Sequence, residues 1–406
     1  LKNQGLFFID KDNKKVYNLK TVQLNGDDLM NKHWMPVWGC PISKTGKGVT
    51  EWMKDVTVRM RMLMTVDGTK LRFRLSNLFN PEKTVIERVT VSVSPEKRDQ
   101  ILSRLVNVTF GGDTRCEMQA FGDAVSDEMD FEFSAGEYLC VNMYFKDFTH
   151  LVTGHSNSGS FIKRWVCDGD LCDAEDLPTV NLVDCSAYPF IHSVEAYCDE
   201  DCYTIACFGD SITAQTWPDR FSLRLLSEGK TKVAAVRKGI GGSRVLGEYP
   251  CLNLRNYGPK GLDRFEREVC LPGVKKVFIL HGINDIIHPD GSEFRPMTNL
   301  PTPEKLIEGL KFYVDTAHKH GIKAYVSKIM PFMGWHSYNE DREKLRREVN
   351  AWVDSGYADG VVPFEETLLD PDCPSRLKAE YDSGDHLHPS AAGAQKMADC
   401  IPNEII

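Results

Sequence analysis

Two hydrophobic rhythms divide the chain. Over residues 1–195 apolar positions recur at every second place. Val56, Val58, Met60, Met62 and Met64 alternate with Thr57, Arg59, Arg61 and Leu63. Leu71, Phe73 and Leu75 alternate with Arg72 and Arg74, and Asp67-Gly68 between the two runs predicts a hairpin turn. Val89, Val91 and Val93 repeat the pattern, as do Leu139, Val141, Met143 and Phe145. Successive side chains of a strand face opposite ways, so each run predicts a strand with one buried face. Many short strands separated by turn residues predict an all-β sandwich or jelly-roll domain.

From Tyr203 onward, apolar runs alternate with helical periods. Strands are expected at 204–208, 232–236, 275–280, 322–327 and 360–364. Leu306, Leu310, Val314 and Ala317 fall on one face of a helix expected over 303–320. Thr302 is its N-cap, Pro303 its first residue and Gly321 its stop. Further helices are expected around 220–226 and 340–353. Strand–helix alternation predicts a doubly wound parallel sheet over 196–406. The segment 184–201 mixes polar and apolar residues and reads as the junction.

Composition narrows the function. Of 406 residues, 42% are hydrophobic and the net charge is −9, with an isoelectric point near 5.7. An acidic chain without a basic run argues against nucleic acid and anionic membranes as partners. No apolar run approaches membrane-spanning length. Thirteen scattered cysteines read as reduced and buried, so a cytoplasmic setting is expected over a disulfide framework. Residues 1–20 are polar and lysine-rich without a signal-peptide core, and a trimmed leader on a secreted protein stays open. Cys167/Cys172 and Cys198/Cys202 are close pairs without zinc-finger spacing, so no metal is expected at them. His33, His150 and His155 are isolated and read as structural. The aromatic cluster Trp34 to Trp38 suits packing better than sugar stacking.

Four stretches carry candidate chemistry. Gly209-Asp210-Ser211-Ile212 follows the first expected strand of the second half, which puts a serine hydroxyl at a strand's carboxyl end, where open α/β sheets bind ligands. A serine needs a base, an orienting group and an oxyanion site to act as a nucleophile. Gly239-Ile240-Gly241-Gly242 follows the second strand and offers backbone N–H groups, without the spacing of a dinucleotide fingerprint. His281-Gly282-Ile283-Asn284-Asp285 follows the third, with a carboxamide able to donate to an oxyanion. Asp385-His386-Leu387-His388 lies near the end, where Asp385 can steady the His388 imidazole. Each stretch alone also reads as an ordinary turn, and His386 with His388 also has the spacing of a metal pair lacking a third ligand.

Together, in this order, the four blocks resemble the SGNH or GDSL hydrolase family. The resemblance implies a flavodoxin-like doubly wound sheet, with Ser211 as nucleophile, His388 as base and Asp385 as its orienter. It also implies oxyanion donors from the Ser211 and Gly242 backbones and the Asn284 side chain. Arg74-Leu75-Ser76-Asn77, Val108-Thr109-Phe110-Gly111-Gly112 and Val125-Ser126-Asp127 resemble the N-terminal β-domain of one branch of that family. Arg237 and Pro363 depart from its pattern, where Asn and Asp are common. Asp210 and Asp285 read as turn-stabilising.

The resemblance implies an ester hydrolase working through an acyl-enzyme without metal or organic cofactor. A short-chain or acetyl ester on a carbohydrate is the expected substrate. A lipase, lysophospholipase or thioesterase is the alternative within the family, and a non-catalytic carbohydrate-binding protein the alternative outside it. Trp335 and His336, after Met330-Pro331-Phe332, are candidates for the substrate pocket, with plain loop packing as the other reading. Oligomeric state is left open.

Overall fold

A computed structural model describes residues 8–9, 16–17, 32–45, 52–94, 103–155, 163–178, 183–184, 188–249, 256–289 and 300–406. The chain divides into two compact units, Leu1–Lys32 and His33–Ile406. Most of the first unit, which the sequence pattern assigns to the β-domain, lies outside the described residues. The second unit holds both a β region and a parallel sheet.

The β region is built from two facing antiparallel sheets. One runs in the order Ser103–Val108, Arg88–Ser94, Tyr138–Phe145, Val56–Leu63, Lys163–Asp168, Val183–Asp184. The other runs Asp123–Val125, Gly68–Ser76, Ile191–Asp199, Lys32–Gly39, with Met129–Phe133 also paired to Gly68–Ser76. Val58, Met60, Val91 and Val141 from the first pack with Leu71, Phe73, Leu75 and Val194 from the second in one fully buried core. The alternating apolar positions point inward as expected, but Thr57, Arg59 and Arg61 between them are buried as well, so Val56–Leu63 has two buried faces where the pattern predicts one.

The expected hairpin at Asp67-Gly68 is not one. Val56–Leu63 pairs with Tyr138–Phe145, while Gly68–Ser76 pairs with Ile191–Asp199, so residues 64–67 cross between sheets. Period two fixes which face is buried but not which strand lies alongside. The crossing is tight, because a Cβ on Gly68 would lie 2.4 Å from the Phe133 ring. The junction expected at 184–201 also needs correction. Ile191–Asp199 is a strand of the β region, and its Glu195, 1% exposed, takes Arg72 at 2.6 Å and Arg74 at 2.9 Å. Those ion pairs permit burial of a residue that reads as a linker in sequence.

The three stretches that resemble the family's β-domain meet in space. Asp127 accepts from Thr109 Oγ1 at 2.7 Å, Gly111 N at 3.0 Å and Gly112 N at 2.8 Å. Ser126 Oγ accepts from Phe73 N, and Asn77 Nδ2 donates to Gln119 O. They staple loops to strands. Trp34 and Trp38 are packed, Trp34 between Tyr197 and the Arg72 guanidinium and Trp38 edge-on to Tyr188.

The C-terminal half is a five-stranded parallel sheet. Its order is Val233–Gly239, Tyr203–Gly209, Val274–Leu280, Lys323–Val326, Gly360–Val361. In chain order that is 2-1-3-4-5, the flavodoxin-like arrangement. On one face Phe208, Val277 and Ile279 pack with Phe265, Leu310, Val314 and Val349 of the helices Gly261–Val269, Pro303–Lys319 and Glu340–Val353. On the other, Ile205, Cys207 and Phe278 pack with Trp217, Phe221 and Leu225 of Trp217–Ser227 and with Met397 of Ala391–Cys400. Each large side chain so buried is worth about 2 kcal/mol. Thr302 caps its helix through Lys305 N, as its sequence suggests.

Two strands depart from expectation. The second continues through Arg237 and Lys238 because both charges find buried partners. Arg237 pairs with Asp219 at 3.1 Å, and Lys238 Nζ donates to Cys40 O at 2.9 Å. The fifth stops at Val361, and Pro363 stands at the N-cap position of the short helix Phe364–Leu368 without a side-chain capping bond. The β region abuts the parallel sheet through further contacts, including Thr204 Oγ1 to Pro36 O at 2.6 Å.

Candidate active site

The first parallel strand ends in a turn that only its sequence permits. A Cβ on Gly209 would lie 2.1 Å from Leu280 O, so the strand can run this close to its neighbour only with glycine. Asp210 then caps the helix Ser211–Ala214, accepting from Ile212 N at 3.1 Å. Ser211 is thereby the first residue of the helix, partly exposed at the sheet's carboxyl edge.

The C-terminal loop supplies its partner. His388 Nε2 lies 2.8 Å from Ser211 Oγ, and His388 Nδ1 lies 2.6 Å from Asp385 Oδ2. The other carboxylate oxygen accepts from His388 N at 2.8 Å and Leu387 N at 3.0 Å. Partial burial pushes the Asp385 carboxyl up, but these hydrogen bonds outweigh it and hold it down at about 2. A carboxylate on Nδ1 fixes a proton there and leaves Nε2 free to accept from the serine.

The glycine turn and the Asn284 block flank this array. Gly241 comes within 3.9 Å of Ser211 Cβ, measured from where its own Cβ would sit. Gly242 holds φ at +77°, and a Cβ there would meet the Tyr257 ring at 2.3 Å. Asn284 Nδ2 donates to Ser243 O at 2.9 Å. His281 Nε2 approaches the same carbonyl at 3.1 Å, with Tyr313 OH 3.1 Å from its Nδ1. Burial pushes the His281 imidazole down to about 3, so it is neutral, with Nε2–H donating to Ser243 O and Nδ1 accepting from Tyr313. Asp285 accepts from Val245 N at 2.8 Å and Leu246 N at 3.0 Å. The turn is therefore held from several sides, and Asp210 and Asp285 bond to backbone as their sequence context predicts.

Residues 207–396 match the GDSL-like lipase/acylhydrolase family. They form a GDSL-like acylhydrolase domain. No curated protein matches the chain. Among solved structures, a GDSL-like lipase from Bacteroides thetaiotaomicron is 16% identical, covering 48% of this chain and 84% of its own, with a TM-score of 0.36. An acetyl xylan esterase is 17% identical over 48% and 96%, with a TM-score of 0.36. A carbohydrate acetylesterase from Sinorhizobium meliloti is 16% identical over 48% and 94%, with a TM-score of 0.34.

The remaining site candidates of the acylhydrolase domain lie on the loop after Phe332. The Trp335 ring stands nearly perpendicular to His388, with centroids 6.4 Å apart. His336 tilts against Trp335 at 4.5 Å and is exposed. His386 Nδ1 is bonded to Asp382 at 2.7 Å, while both ring nitrogens of His388 are engaged by Asp385 and Ser211. A Cβ on Gly334 would lie 2.6 Å from His386, so that imidazole packs under the Trp335 loop. Arg237 reaches Gln215 O at 3.3 Å, just past the helix Ser211–Ala214, which accommodates its departure from the family pattern.

Sequence reasoning missed several residues that shape the site. His281 falls inside the third block but has no role in the sequence reading of it, and Tyr257 and Arg264 carry no motif. Arg264 falls in the charged run Asp263-Arg264-Phe265-Glu266-Arg267-Glu268, which reads as a solvated helix face, yet its side chain is fully buried.

Proposed function

We propose that this chain is a serine esterase that removes a short acyl group, foremost an acetyl ester carried on a carbohydrate, through an acyl-enzyme at Ser211. His388 Nε2 takes the proton as Ser211 Oγ bonds to the ester carbonyl carbon. The negative charge on the carbonyl oxygen is met by the backbone N–H groups of Ser211 and Gly242 and by the Asn284 amide N–H not bonded to Ser243 O. Collapse of this intermediate breaks the ester C–O bond, and His388 returns the proton to the leaving alcohol. Water then adds to the acyl-enzyme with His388 again taking the proton, and collapse frees the acid and restores Ser211.

The observation that carries this reading is the continuous hydrogen-bonded array Asp385–His388–Ser211 beside the Asn284 carboxamide. A polar rim supports the carbohydrate ester. Ser383, Gly384, Asp385 and His386, in the loop that carries His388, are all exposed, an environment that suits a hydroxyl-rich alcohol better than an acyl tail.

The test is a panel of aryl acetate, butyrate and octanoate with an acetylated oligosaccharide, assayed on the purified chain and on Ser211→Ala. The expected order has the acetyl esters first, with all turnover lost in the variant. Preference for octanoate would move the substrate to the lipase or thioesterase class. Neither turnover nor labelling by a fluorophosphonate in folded protein would leave the carbohydrate-binding alternative.

A further inference from the structure

A buried guanidinium joins the two turns that form the site. Arg264 Nη2 donates to Gly209 O at 2.6 Å, and its Nη1 donates to Lys238 O at 2.9 Å. These carbonyls end the first and second parallel strands, immediately ahead of Asp210-Ser211 and of the glycine turn. Gly209 O also accepts from Ile240 N at 3.1 Å, so the nucleophile turn and the glycine turn share this one oxygen. The guanidinium lies over the Phe208 ring at 4.1 Å, which restricts it from one side.

What holds Arg264 reaches into the β region. Nη1 also donates to Glu268 Oε2 at 2.9 Å, and both side chains are fully buried. The other oxygen of Glu268 accepts from the backbone N–H of Ile42 at 3.3 Å and from Arg267 at 3.2 Å. Ile42 follows the β-region strand Lys32–Gly39. A buried ion pair gains little net stability over apolar packing, because both charges lose their water. Its retention at this place fits a geometric task.

We infer that Arg264 is a positioning residue for the reaction proposed above, and that Glu268 links its position to the β region through Ile42. Arg264 sets the spacing between Ser211 and the Gly242 N–H by holding both strand ends. The β region thereby contributes to catalysis without touching substrate.

The test rests on two variants and on readouts per folded molecule. Arg264→Lys keeps the charge but cannot span both carbonyls and Glu268 with planar, fixed N–H groups. Glu268→Gln is isosteric, but one of its carboxylate oxygens becomes an NH2 group, so it must present a donor either to Arg264 or to Ile42 N–H. Expected for Arg264→Lys is a fall in kcat of about a hundredfold, the cost of roughly an ångström of misplacement. KM should hold within about twofold, as for a loss confined to the transition state. Fluorophosphonate labelling of Ser211 should slow in parallel, and Glu268→Gln should lie between Arg264→Lys and the wild type. If Arg264→Lys does not fold, Glu268→Gln decides alone: slowed labelling supports the inference and wild-type labelling overturns it. Variants that melt earlier yet turn over and label at the wild-type rate would reduce the pair to a structural role. A wild-type protein that never labels would instead overturn the esterase reading on which the inference stands.

Discussion

Ser211 Oγ and His388 Nε2 lie 2.8 Å apart although 177 positions separate them in the chain. One comes from the turn after the first parallel strand, the other from the loop before the last helix. A serine oxygen within hydrogen-bond reach of an imidazole nitrogen is the geometry that proton transfer requires. Replacing either with Ala should lower kcat by about a millionfold, because members of such a unit fail together. Asp385→Asn should cost about ten-thousandfold by favouring the wrong imidazole tautomer. Steady-state rates with an aryl acetate, on variants of unchanged Tm, check both. Comparable rates in His388→Ala and wild type would remove His388 as the base.

Asn284 and Gly242 should matter at the transition state and little before it. The Asn284 amide is fixed by Ser243 O, which His281 holds from a second direction. A preorganised donor of this kind is worth about a hundred- to a thousandfold in kcat, so Asn284→Ala should lose that much with KM nearly unchanged. Gly242→Ala should lose activity for a different reason. Its φ of +77° and the Tyr257 ring leave no space for a methyl group, so the turn must shift and its N–H must turn away. Restoration of Gly242→Ala by a second change, Tyr257→Gly, would be incomplete, since the backbone strain remains.

The partly exposed Trp335 ring stands nearly perpendicular to His388, 6.4 Å between centroids. Trp335→Ala should therefore raise KM for a bulky acetylated sugar more than for a small aryl acetate, with kcat less affected in both. Equal changes for the two substrates would show that the ring only supports its loop. His336→Ala should change less, since that ring packs on Trp335.

The residues that meet around Ser211 were more legible than the scaffold that brings them together, for physical reasons. Asp210, Ser211, Asn284, Asp385 and His388 sit in short blocks whose local geometry a few consecutive residues can encode. Parallel strands and helix caps such as Thr302 are also local. Pairing is not, so Val56–Leu63 and Gly68–Ser76 read as one hairpin when they lie in different sheets. Buried charge is the other source of error. Arg237, Lys238, Glu195 and Arg264 break apolar periodicity, and only their partners in space make their burial tolerable. A single sequence shows a charge but not its counter-charge.

Asp210 and Asp385 should respond to pH with opposite signs. The Asp210 carboxyl is buried away from water, which pushes it from 3.8 up to about 7, with Asp285 nearby adding to the rise. Its Oδ2 has no hydrogen-bond partner among the described residues. Between these two values the folded chain holds a proton on Asp210 that the unfolded chain releases. Stability conferred by this site therefore falls as pH rises from 3.8 to about 7. Asn keeps the oxygen that accepts from Ile212 N and carries no charge at any pH. The Tm difference between Asp210→Asn and wild type should thus shift in favour of the variant across that window and level off above it. Asp385 is the contrast, held down at about 2 by its hydrogen bonds. The stability it confers is complete above 3.8 and fades as pH falls toward 2. With that side chain 40% exposed, solvent screening keeps the effect small. Asp385→Asn should accordingly lose its disadvantage in stability only in acid. A Tm difference for Asp210→Asn that stayed flat from acid to neutral pH would mean that the buried carboxyl keeps its ordinary affinity for a proton.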